Sequence, residues 1–295
     1  MAKRASAWRL GGLSPLDLGR RVWREIGDDE VTERAAGLSY YFLFALFPAL
    51  LFLTALLGFL PVSGLQERLI AYLRDVMPPD AASTLERTLT EVLTQRRSGL
   101  VSLGLLVTLW ASSNGMMSLM QTMNIVNDGT EGRSWWKRRL IAIVLTVTFA
   151  GLIVAALALM VFGPVIGKVV AQWFGLGEVF TRVWNVVNLP VVIACALLGI
   201  ELTYYLAPAG DRPWRWVTPG GTLALAGWLA MSYGLRVWVG HFTNYSATYG
   251  SIGGVILLML WLYLTSVVFL VGAEIDAEIE AAARVPKKAE VRRAA

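Results

Sequence analysis

One cysteine and one histidine among 295 residues leave this chain short of the usual machinery of catalysis. Cys195 sits in an apolar run, which excludes a disulfide framework and a thiolate metal cluster and makes it read as a small buried hydrophobe. His241 lacks a histidine partner, and HExxH, GxSxG and GxxxxGK[ST] are all missing. A metal-dependent hydrolase needs several nitrogen, oxygen or sulfur ligands converging on one ion. No catalytic residue, metal or cofactor is expected, and His241 reads as an interfacial polar residue in preference to a ligand. Charge is scarce as well: 16% of residues are charged, against about 25% in a soluble domain. Positions 1–33 are polar and charged with no apolar core, so no cleavable signal peptide is expected there.

What the chain has in quantity is apolar length. Hydrophobic residues make up 56%, and six runs begin near Leu38, Leu100, Leu140, Val183, Val217 and Ile252. A bilayer's hydrocarbon core is about 30 Å thick, and roughly 20 residues of helix cross it. The expectation is an all-α polytopic membrane bundle with six spans, at about 38–60, 100–121, 140–162, 183–206, 217–239 and 252–272. They form one membrane domain over 1–284, followed by a charged, disordered tail at 285–295. Lysine and arginine concentrate before the first run and after the second, fourth and sixth. By the positive-inside rule those segments face the cytoplasm, so both termini lie inside and the number of spans is even. The formal net charge of +5 then suits anionic headgroups at the membrane margin and requires no nucleic-acid partner.

Accessory helices flank the spans. Leu13 to Glu33 reads as an amphipathic helix on the membrane surface, started by Ser14-Pro15, with Leu16, Leu18, Val22, Trp23 and Ile26 on its apolar side. Amphipathic stretches around Leu65–Leu73 and Leu85–Leu93, separated by Pro78-Pro79, predict an external helical hairpin. Beyond the sixth span the helix continues with Glu274, Asp276, Glu278 and Glu280. Pro48 and Pro190 fall inside the first and fourth spans, where a missing amide predicts a kink.

Polar groups inside the apolar runs are the candidate site residues. An ionisable side chain there costs about 2.5–3.5 kcal/mol on insertion scales, so it faces protein or water. Glu201 is either a cation or proton site in transport or the cap of a buried contact. Arg236, near Tyr233, either binds an anionic headgroup or snorkels to the interface. Tyr40, Tyr41, Ser113, Asn114 and Asn188 either line a wet cavity or hydrogen-bond between helices. Asn244, Tyr245 and Tyr249 belong to a Tyr- and Gly-rich segment that permits close backbone approach before the last span.

That segment also carries a resemblance. Asn244-Tyr-Ser246, Tyr249-Gly-Ser251, Trp261-Leu-Tyr263 and Gly272-Ala-Glu274, with Leu38-Ser-Tyr-Tyr41 and Pro48 upstream, resemble the YihY/BrkB family of bacterial inner-membrane proteins over roughly residues 35–278. Asn127 departs from the pattern, standing where many members have an aromatic residue. The resemblance implies a six-span bundle in the inner membrane with cytoplasmic termini. Ribonuclease and virulence-factor labels come with it, but no catalytic residues. The expected function is transport or accommodation of a lipid or other amphiphilic envelope substrate, with membrane lipids as partners. A non-catalytic structural or interaction protein is the alternative.

Overall fold

A computed structural model describes residues 7–58, 98–174, 177–210, 213–241 and 245–294, and every regular element among them is helical. After a 3-10 turn at Ala7–Gly12 come α1 (Pro15–Asp28), α2 (Val31–Gly58), α3 (Ser98–Val126), α4 (Trp135–Phe174), α5 (Gly177–Leu206), α6 (Pro219–His241) and α7 (Tyr245–Ala294). Helices α2 to α7 carry the six apolar runs, as an all-helical membrane bundle requires. The hairpin expected around 65–93 lies outside the described residues.

Among the described residues, three stretches are long and apolar enough to cross a membrane: Trp135–Ala156, Leu189–Leu206 and Gly253–Ala283. Only 28%, 22% and 17% of them, respectively, is buried within the chain. Open apolar surface on that scale is costly in water and at rest in lipid.

Helix α1 starts where its sequence says it should. The Ser14 hydroxyl accepts from the Asp17 amide (3.1 Å) and donates to the Asp17 carboxylate (2.7 Å), while Pro15 opens the first turn. Leu18 and Val22 are buried against Ile279 of α7, with Leu10, Leu13, Ile26 and Ile275 packed around them. The apolar side read from the sequence is thus divided. Leu16 and Trp23 point away from this cluster and are 77% and 78% exposed. Helix α7 continues to Ala294 through the tail expected to be disordered. Ala, Glu, Lys and Arg dominate that stretch, and all four are good helix formers.

The chain falls into two compact units. The first takes residues up to Phe44, Gly115–Ala142 and everything from Leu197 onward; the second takes Ala45–Asn114 and Ile143–Ala196. In the second unit, Leu145, Ala150 and Val154 of α4 are buried. Buried Ser112 and Ser113 of α3 donate to their own helix, at Thr108 O (2.5 Å) and Trp110 O (2.8 Å). In the first unit α6 packs along α7. Trp261 Nε1 donates to Ser232 Oγ (3.2 Å), and the Trp228 and Trp261 rings meet edge to face with centroids 6.2 Å apart.

Candidate functional site

The polar residues of the first unit gather where α5 ends and α6 begins. A helix start leaves backbone amides without intrahelical acceptors. At α6 the acceptors come from three places. Thr218 Oγ takes the Gly221 amide (3.0 Å), capping the helix. Glu201 of α5, 2% exposed, accepts from the Thr218 amide (2.7 Å) and from the Thr218 hydroxyl (2.9 Å) through one oxygen, Oε1. Asp276 of α7 accepts from the Gly220 amide through Oδ1 (2.9 Å). Two carboxylates thus sit at the positive end of one helix, the favourable place for negative charge. Arg215 is the cation that acts on both.

Glycine makes the approach possible. A Cβ on Gly220 would collide with the carbonyl oxygen of Gly272 and lie 2.6 Å from Asp276 Cγ; one on Gly221 would strike Glu201 Oε1. A Cβ on Gly272 would lie 2.6 Å from the Tyr204 hydroxyl oxygen and 2.7 Å from Ala224 Cβ. Tyr204 OH donates to Phe269 O (2.5 Å), tying α5 to α7 on the same side. Asp276 Oδ2 is buried and has no hydrogen-bond partner.

A second polar group closes the end of α5. Arg133 grips Glu131 through Nε and Nη2 (both 2.8 Å) and reaches Leu206 O (3.1 Å) and Ala207 O (2.8 Å). A guanidinium at a helix C-terminus satisfies orphan carbonyls and opposes the dipole. Asn124 completes the clamp, donating to Glu131 (2.8 Å) and accepting from the Ala209 amide (2.5 Å). The hydrogen bonds from Arg133 hold the Glu131 carboxyl down at about 2.

A third group lies at the α1–α2 elbow. Asp29 is the C-cap of α1, its backbone carbonyl accepts from Arg34 Nε (2.6 Å), and Glu274 of α7 is 1% exposed. Burial raises the Asp29 carboxyl above its ordinary range, and burial together with neighbouring Glu278 and Asp28 raises Glu25. Among the described residues, no three His, Cys, Asp or Glu side chains are arranged to hold a metal ion.

Of the candidates whose side chains are described, only Glu201 enters this junction. Ser113 is buried and bonded within its own helix, while Asn114 is exposed. Tyr40 and Tyr41 are about half exposed on α2, their rings meeting at 5.7 Å, and Tyr233 and Arg236 are exposed on α6. Asn244 lies outside the described residues, as do the side chains of Asn188, Tyr245 and Tyr249. The candidate set misses Thr218, Asp276, Tyr204, Asn124, Glu131 and Arg133. A Thr-Pro-Gly-Gly helix start was the one local signal for Thr218.

A family model described as virulence factor BrkB matches residues 22–295. A Bacillus subtilis (strain 168) protein named ribonuclease-like protein YfkH is 35% identical over 257 residues, 87% of this chain and 93% of that protein. An UPF0761 membrane protein of Stenotrophomonas maltophilia (strain K279a) is 27% identical over 278 residues; the match takes in 90% of this chain but spans 61% of the relative's length. No solved structure matches. With nearly the whole chain covered by the family model, and with the Gly272 and Trp261 positions that resembled this family lying on the α6–α7 contact, the protein is a membrane protein of the virulence factor BrkB family.

Proposed function

We propose that this protein sits in the bacterial inner membrane with six spans and both termini in the cytoplasm, and moves or accommodates a lipid or other amphiphilic envelope substrate. Asp276 carries the reading. One of its oxygens is fixed by a helix-start amide and the other is buried without a donor, among helices whose outer surfaces are apolar. Buried ionisable groups at membrane depth are expensive and mark routes for substrates or protons. The full chain reconstituted in liposomes tests it. Wild type is expected to translocate fluorescent anionic lipid, and D276N to do so at least tenfold more slowly while keeping its melting temperature. Equal rates in wild type, D276N and empty liposomes would remove transport from consideration. Maleimide access to cysteines placed before α1 and after α7, in a Cys195→Ala background, tests the orientation.

A second reading is a structural or interaction protein of the envelope. It draws on the junction and the clamp, where Glu201 bonds the start of α6 and Arg133 divides its hydrogen bonds between Glu131 and the end of α5. Crosslinking that captures a stoichiometric partner from intact cells, together with no translocation, favours it. The ribonuclease-like name of the Bacillus relative does not transfer well. A single histidine leaves no histidine pair to act as acid and base, and the carboxylates at the junction are bound to a helix start. No enzymatic activity is proposed.

A further inference from the structure

Charge cancels along α1, where Arg20, Arg21 and Arg24 are matched in number by Asp17, Glu25 and Asp28. Around the helix it does not cancel. At about 100° per residue, Gly19, Trp23, Leu16, Gly27, Arg20 and Arg24 follow one another over a sector of roughly 140° that holds no acid. All six are exposed. The remaining charges are engaged or lie elsewhere: Asp17 takes the Ser14 hydroxyl (2.7 Å), Arg21 is drawn to Glu278 (3.6 Å), Glu25 is partly buried, and Asp28 falls outside the sector.

The place of α1 follows from what it packs on. Its buried side, Leu18 and Val22, rests on Ile279 with Ile275 beside it. These two belong to the end of the candidate span Gly253–Ala283. About 20 residues of helix cross the hydrocarbon, so a crossing that starts at Gly253 leaves it near Ala273, and Ile275 and Ile279 stand at headgroup level. A helix seated there lies in the corner between the bilayer surface and α7. Such a position asks for two apolar faces, and Leu16 with Trp23 form a second one turned roughly a third of a circle from the first.

We propose that the Leu16–Trp23 face of α1 docks on anionic lipid, the two apolar side chains entering the boundary between headgroups and acyl chains while Arg20 and Arg24 bind lipid phosphate. Guanidinium groups suit phosphate, and their stems reach up from an immersed face to the headgroups. A zwitterionic headgroup brings its own ammonium to that phosphate, whereas an anionic lipid leaves the charge for the arginines. This assignment rests on the protein being a membrane protein and depends neither on transport nor on which side the termini occupy.

Fluorescence quenching in nanodiscs of one composition in both leaflets tests it on the full chain, in a C195A background. A bimane label goes on G27C, where the residue is exposed and an added Cβ meets open space, or on D28C, exposed but outside the sector. Phosphatidylglycerol or phosphatidylcholine carrying an acyl-chain nitroxide is doped in at equal fraction. At G27C the phosphatidylglycerol quencher should act more strongly by about fivefold, the gain from one arginine near an anionic surface. R20Q/R24Q should abolish the preference, high salt should shrink it, and D28C should be quenched weakly by both lipids. Quenching at G27C no stronger than at D28C overturns the proposal. Equal quenching by the two lipids overturns the anionic assignment, and a preference that survives in R20Q/R24Q overturns the role of the arginines. A G27C label shielded from both lipid nitroxides and aqueous iodide also overturns it, and makes the occupant a second copy of the chain.

Discussion

Among the described residues, the two units of this protein differ in how far their buried polar groups reach. In the second, Ser112 and Ser113 turn back onto carbonyls three and four residues away, so the helix meets its own demand and offers neighbours an apolar surface. In the first, Thr203 and Ser266 do the same, but bonds of Glu201, Asp276, Tyr204, Asn124 and Arg133 also run between segments, from residues 17 to 85 positions apart. The contrast separates two jobs. A self-satisfied helix can shift against its neighbours without losing a hydrogen bond, whereas the α5–α6–α7 junction loses several at once.

Substitutions can break that contrast, the largest effect first. Gly272→Val forces a side chain into the Tyr204 hydroxyl and Ala224, and overpacking of this kind costs about 3 kcal/mol or more where backbone cannot yield. The purified protein should lose its cooperative thermal transition. Gly151→Ala in the second unit meets open space and should be neutral or stabilise by up to about 1 kcal/mol; equal damage from both would erase the distinction. Glu201→Ala strands the Thr218 amide and removes the acceptor of its hydroxyl. It should cost about 2–4 kcal/mol, read by tryptophan-fluorescence melting in detergent, whereas Ser113→Ala should cost less than about 1 kcal/mol.

Acid sharpens the same comparison. The folded Glu131 carboxyl lies at about 2, below its ordinary value of 4.5. Its contribution is complete above that ordinary value and disappears as pH falls toward 2; discounted for partial exposure, it amounts to roughly 2 kcal/mol. Glu131→Gln should flatten the acid limb of a melting-temperature profile, and an unchanged limb would show that the clamp adds nothing. Tyr204→Phe is the smallest of the junction changes, about 1 kcal/mol for one neutral hydrogen bond, measured by the same melting assay.

Much of the fold was legible from local pattern. Apolar length placed α2 to α7, and Ser14-Pro15 placed the start of α1. Each depends on residues adjacent in the chain, which is where periodicity and capping leave their mark. The site was much less legible. Tyr40, Tyr233 and Arg236 stood out because polar residues are conspicuous in apolar runs, yet they lie on the outside of their helices. Asp276 was hidden by its acidic neighbours, which made it look like part of a solvated face. Arg133 looked like one more basic residue at a membrane margin until its reach to Leu206 and Ala207 was known.

By itself, the sequence determined that this chain is a helical membrane protein poor in catalytic groups, because hydrophobic length and residue scarcity are properties of the string. Only the tertiary structure decided which carboxylates matter. Whether an acidic side chain caps a helix, pairs with another acid or points at lipid depends on what distant segments bring within about 3 Å of it. No local pattern encodes that distance. Glu201 and Asp276 lie 75 positions apart in the chain and come to one place because each accepts from an amide at the start of α6.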